Sequence, residues 1–111
     1  MAVYIPTSAP QKLLGAIKKA IDDKKIDTWE YDAAGDFTHT PDQWHKRAWL
    51  RPVVQQGMLL FGLVGQQGVV MTKLIYGVYH GRFIEMLLTH FDADFETVCA
   101  TAQKSTVDVF K

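Results

Sequence analysis

The chain is 111 residues long, 48% apolar and 22% charged, and its twelve basic and twelve acidic side chains cancel. This composition excludes an intrinsically disordered chain. It fits a single domain over residues 1–111, long enough to bury roughly two-thirds of its unfolded surface without a disulfide or metal staple. A nucleic-acid binder carries a strongly basic domain or a dense basic stripe; this sequence has neither, so nucleic acid is the least favoured partner.

The lone Cys99 cannot form an internal disulfide. The start, Met-Ala-Val-Tyr-Ile-Pro, has no basic region followed by an apolar stretch. The expectation is a cytoplasmic domain. The long uncharged run over 52–72 is interrupted by Pro52 and by scattered Gln and Gly residues, so no membrane span is expected. Charge is unevenly placed. The middle of the chain carries Lys46, Arg47, Arg51, Lys73 and Arg82 against Asp42, whereas the end carries Lys104 and Lys111 against Glu85, Asp92, Asp94, Glu96 and Asp108. Attraction between the two, within one fold or between subunits, follows.

Ala2 to Ile5 reads as a short apolar strand or arm. Ser8-Ala9-Pro10-Gln11 has the pattern of a helix start: a capping Ser8, Pro10 in the first turn where no N–H is needed, and Gln11 completing a capping box. Leu13, Leu14, Ile17, Ala20 and Ile21 recur at helical spacing, so a helix is expected from about 9 to 24. Alternation then places Trp29 and Tyr31 opposite Thr28, Glu30 and Asp32. A turn at Ala33-Ala34-Gly35-Asp36 and renewed alternation through Phe37 to Thr40 complete a β-hairpin.

Two further strands are expected at 48–54 and 58–64, joined by a Gln55-Gln56-Gly57 turn. Pro52 marks an edge or a bulge, and the second run is apolar enough to be covered on both faces. From Val69 to Tyr79 the β-branched and aromatic residues favour a strand, although Ile75, Tyr79, Phe83, Met86 and Leu87 also form a helical stripe. After Gly81, Ile84, Leu87, Leu88, Phe91 and Phe95 make one helical face. Thr97 to Ala102 either extends that helix or forms a last short strand. The sum is an α+β fold: an antiparallel β-meander of four to six strands with two helices packed on one face.

The stretch from Ile26-Asp27-Thr28-Trp29 through Asp36-Phe37-Thr38-His39-Thr40 and the stretch Tyr79-His80-Gly81-Arg82-Phe83-Ile84-Glu85-Met86-Leu87-Leu88, together with Ala48-Trp49-Leu50-Arg51-Pro52, resemble a group of small bacterial proteins of about this length that have no assigned function. The resemblance implies a stand-alone bacterial domain and transfers no active site, cofactor or partner.

Two constellations carry binding chemistry. If the second helix starts near Arg82, its unpaired N–H groups lie beside His80 and Arg82, a setting for a carboxylate or phosphate, with Glu85 one turn on and able to pair with Arg82. A continuous helix through 72–92 abolishes that site, and its bland reading is a glycine-eased junction. The second constellation is the strand around Arg47, Trp49 and Arg51, where alternation also brings His45 to the same side. Trp and Arg are the residues that dominate protein interfaces, and the bland reading is a solvated face with arginine stems over Trp49.

Asp32, Asp36, His39 and His45 lie close in sequence but lack the ligand spacing of a calcium loop or a zinc site. Cys99 among Val98, Ala100 and Ala102 reads as a buried, inert thiol. No cofactor motif is present. The expected function is a non-enzymatic module that acts through a protein surface, as a homodimer or as an immunity- or chaperone-type partner. The alternative is a small-molecule or anion-binding domain centred on His80 and Arg82.

Overall fold

The computed structural model describes residues 2–111. In chain order the elements are β1 (Ala2–Pro6), α1 (Pro10–Asp22), β2 (Trp29–Tyr31), β3 (Phe37–His39), β4 (Ala48–Gln55), β5 (Met58–Gly65), α2 (Lys73–Phe91) and β6 (Cys99–Ala100). The strands form one open antiparallel sheet in the order β2-β3-β4-β5-β1-β6. The fold is α+β, as the hydrophobic patterning implies.

Strand alternation decides which side chains face the helices. Val3 and Ile5, Leu59, Phe61 and Leu63, Ala48 and Leu50, Phe37 and Trp29 share one sheet face and are buried in a single cluster with Leu13, Leu14 and Ile17 of α1 and Tyr79, Phe83, Met86 and Leu87 of α2. Both helices therefore cover the same face, because each amphipathic stripe and one sheet face must leave water together. The hairpin turn is held by Asp32, whose carboxylate accepts from the amides of Ala34 and Asp36 at 3.0 Å. The β4–β5 turn uses Gly57 at φ 78°, a left-handed geometry that costs glycine little. β3 pairs with β4 through Phe37 and Leu50, so Pro52 lies beyond that rung, where its missing N–H leaves no bond unmade.

Three expectations are corrected. The 69–79 segment is not a strand. Val69 and Val70 belong to an exposed loop, and α2 begins at Lys73, where the Thr72 hydroxyl accepts from the Ile75 amide at 3.2 Å. The stripe Tyr79, Phe83, Met86, Leu87 and Phe91 outweighs the local β propensity, because burying it against the sheet stabilises the helix more than residue preference opposes it. Ser8 is not the cap of α1. The helix starts at Pro10 with Ala9 at the N-cap and no side-chain cap, and the Thr7 hydroxyl instead accepts from the Ala9 amide. Cys99 is half-buried rather than buried, and it lies in β6, the short last strand, opposite Tyr4 of β1.

Beyond β6 the chain returns to β5. Val109 donates to the Leu63 carbonyl and accepts from the Gly65 amide, both at 2.8 Å, in a parallel bridge alongside Val64. Asp108 stands in for a strand carbonyl by accepting from the buried Leu63 amide at 2.8 Å, and it also takes the Ser105 amide at 2.7 Å. Burial raises its carboxyl pKa, but the lowering contributions, these two amides among them, together hold it below the usual range. Gly62 leaves room for the crossing, since a Cβ there would lie 2.1 Å from the Val107 carbonyl oxygen.

Gly81 is an exposed interior residue of α2 with open space where a Cβ would sit. Gly81→Ala is expected to raise the unfolding free energy by about 0.5–1 kcal/mol, the helix-propensity gain, read as a higher urea midpoint at unchanged m. A lower midpoint would argue against helix at this position.

Candidate functional site

A groove of about 410 Å³ runs between α2 and the open end of the β2–β3 hairpin. Its size lies near the lower end of the ~300–1,000 Å³ typical of small-molecule sites. One wall is a single helical stripe, Arg82, Glu85, Met86, Thr89 and His90, at the three- and four-residue spacing that stacks side chains along one side. The other wall is Thr28, His39 and Pro41, with the indole of Trp29 at the base.

His39 is the pivot. It pairs with Trp29 across the hairpin, its ring 4.5 Å from the indole, and only 3% of it is exposed. Its Nδ1 lies 2.6 Å from the Thr28 carbonyl oxygen. A carbonyl only accepts, so Nδ1 carries the proton and Nε2 of the neutral ring is left with a lone pair. Arg82 donates to that nitrogen from Nη1 at 3.3 Å. Burial is the main cause holding the imidazole pKa below its ordinary value of 6.5, and the Arg82 cation adds to it. The Thr28 hydrogen bond and the Glu85 charge pull the other way. The neutral form dominates at pH 7, which keeps the Arg82 contact intact.

Arg82 is placed by its neighbours. The adjacent Phe83 is fully buried against Phe61 (4.7 Å), Trp29 (5.0 Å) and Phe37 (5.9 Å), so α2 cannot rotate without emptying the core. The Arg82 guanidinium then reaches over the Trp44 ring at 5.9 Å toward His39. Tyr79, one turn earlier on α2, secures the loop carrying Trp44. Its hydroxyl donates to the Trp44 carbonyl in a short contact and lies 3.0 Å from the Thr38 hydroxyl.

The structure brings Arg82 and Glu85 to this groove and leaves His80 out. His80 is 5% exposed and turned away from the groove stripe; its Nδ1 donates to the Tyr76 carbonyl at 2.7 Å, and its ring lies 4.7 Å from that of Tyr76. No helix begins near Arg82, because α2 starts two turns earlier, so the expected dipole-assisted anion site at 80–82 does not exist. Nor do Arg82 and Glu85 form an ion pair among the described residues.

In the 44–51 segment, Trp49 and Arg51 share the sheet face opposite buried Ala48 and Leu50, but two of its cations have carboxylate partners. The Arg51 guanidinium is held by Asp36 in a bidentate pair at 3.1 and 3.0 Å, and His45 contacts Glu30. Trp49 is half-buried, and Arg47 is exposed in the turn before β4. Asp32, Asp36, His39 and His45, close in sequence, thus serve four separate interactions. His39 lines the groove, whereas its sequence neighbours suggest only a metal-ligand role for it. Its alternation with Trp29, Tyr31 and Phe37 already placed it on the helix-covered face.

The lowered His39 pKa has a definite sign for stability. A group held neutral in the fold contributes fully above its unfolded pKa and loses that contribution as pH falls through the folded value. Urea denaturation should therefore show His39-dependent stability flat from alkaline to neutral pH and declining below the ordinary histidine range. His39→Gln is expected to remove that part of the decline and to cost about 1–3 kcal/mol at pH 7 through the disturbed Thr28 and Arg82 bonds. An unchanged acid limb would contradict the assignment. No family model, no curated protein and no solved structure matches this chain, so what the groove holds is argued from its own chemistry.

Proposed function

We propose that this protein is a small-ligand-binding domain whose groove seats an anionic group, a carboxylate or phosphate, on Arg82. The observation that carries this reading is a guanidinium with no carboxylate partner among the described residues, held in place by a buried neutral histidine at the mouth of a groove. Arginine presents a planar fork of donors matched to such oxyanions. Only one of its N–H groups is committed to His39, so the rest of the fork is available. Binding rather than turnover is favoured because the His39 lone pair is spent on Arg82.

The test is an NMR titration of the native chain with acetate and inorganic phosphate at constant ionic strength. Amide shifts are expected at His39, Arg82 and Thr89 with dissociation constants in the millimolar range, about −4 kcal/mol. Arg82→Gln should weaken them at least tenfold, and Arg51→Gln should leave them in place. Unmoved groove amides, or equal binding by Arg82→Gln, would remove the reading.

A second reading, recognition through a protein surface, is favoured by a different feature from the 44–51 strand. Val69, Val70, Leu74 and Val109 are among the most exposed large apolar side chains, Val70 at 67% and Leu74 at 66%. The first three are close in sequence to Met71, Lys73 and Tyr76, which line a groove of about 590 Å³ together with Phe110. Contiguous exposed apolar surface marks interaction sites more often than isolated residues do. On this reading light scattering of the native chain shows mass rising with concentration, and a Val70→Asp/Leu74→Asp variant stays monomeric. A native chain that is monomeric throughout excludes self-association through this patch.

A further inference from the structure

The groove presents two opposite charges that neutralise neither each other nor a third residue. Arg82 and Glu85 sit one helical turn apart on the same wall, a spacing at which such side chains ordinarily meet. Here the guanidinium is drawn the other way, toward His39 Nε2 and across the Trp44 ring. The Glu85 carboxylate is left without an ion pair or side-chain hydrogen bond among the described residues. The Thr89 hydroxyl donates back to the Glu85 carbonyl at 2.7 Å, so toward the groove it offers lone pairs. The groove lining thus carries a donor, Arg82, and an acceptor, Glu85, together with the apolar side chains of Met86 and Trp29.

An anion on Arg82 alone would feel the negative Glu85 one turn away, whereas a ligand that also carries an ammonium turns that repulsion into attraction. We infer that the groove's ligand is a small zwitterion, an ammonium carboxylate of the amino-acid type, with its carboxylate on Arg82 and its ammonium on Glu85. His39 acts as the spacer: by accepting from Arg82 it holds the cation away from the carboxylate that would otherwise quench it. The inference rests on the anion-binding reading above and adds the second charge to it.

The test compares three probes of similar size, alanine, propionate and ethylamine, titrated into the native chain at matched ionic strength and followed by the amides of His39, Arg82, Glu85 and Thr89. Alanine is expected to bind roughly threefold to fivefold more tightly than propionate, the worth of one solvent-screened charge pair, and ethylamine more weakly than either. Glu85→Gln, an exposed substitution on a helix surface, should abolish the advantage of alanine over propionate, with propionate bound as tightly as before or more tightly once the neighbouring negative charge is gone. Alanine binding no better than propionate, or a preference that survives Glu85→Gln, overturns the zwitterion while leaving anion binding standing. If neither alanine nor propionate moves the groove amides, both readings fall.

Discussion

The structure depends on one packing event, the insertion of Phe83 between the rings of Trp29, Phe37 and Phe61. These rings come from β2, β3 and β5, so a single side chain of α2 ties the helix to the hairpin and to a middle strand of the sheet. Edge-to-face contacts of this kind add to the area they bury, and they fix the rotation of α2 about its axis. Everything on the groove wall follows from that rotation. Arg82 precedes Phe83 by one residue, and Glu85, Met86 and Thr89 follow at helical spacing, so their directions are set by a residue that does not line the groove.

His39 links that core to the surface. A histidine this deeply buried would cost free energy if charged, and it would cost free energy if its polar atoms lacked partners. Both costs are avoided by one arrangement, in which the Thr28 carbonyl takes the Nδ1 proton and Arg82 supplies a donor for Nε2. The contact also orders an arginine that would otherwise sample many rotamers. The remaining charged residues of the hairpin region serve structure: Asp32 closes the turn, and Asp36 neutralises Arg51. What resembles a cluster of ligands in the sequence is, in space, a set of separate local solutions to turn and strand geometry.

Much of the fold was legible because it is governed by short-range periodicity. The stripe of Leu13, Leu14 and Ile17 defines α1, and the Trp29–Tyr31 and Phe37–His39 alternation gives the hairpin its observed register. The Gln56-Gly57 turn separates β4 from β5 where glycine spacing implied it. The errors have equally specific causes. Val69, Val70 and the β-branched residues that follow satisfied strand propensity, while the stripe from Ile75 to Phe91 satisfied helix periodicity, and local sequence holds no term that ranks the two. Ser8 matched a capping pattern, but the chain leaving β1 presents the Thr7 hydroxyl to the Ala9 amide instead. The returning end of the chain, with Asp108 replacing a strand carbonyl, rests on a contact 45 residues away in sequence.

The sequence by itself determined the class of the fold, most of its elements and their apolar faces, because amphipathic patterns recur within a few residues and water acts on them locally. It also singled out Arg82 and Glu85, but together with His80 and as part of an anion site at an expected helix start that the structure does not have. Only the tertiary structure decided that 73–79 is helix, that His80 turns away from the groove, and that Arg82 meets His39 across 43 residues of chain. The physical reason is that the free energy of α2 comes from burying its stripe against a sheet assembled from distant segments. A side chain's partner is then set by how those segments pack, which no pattern along the chain encodes.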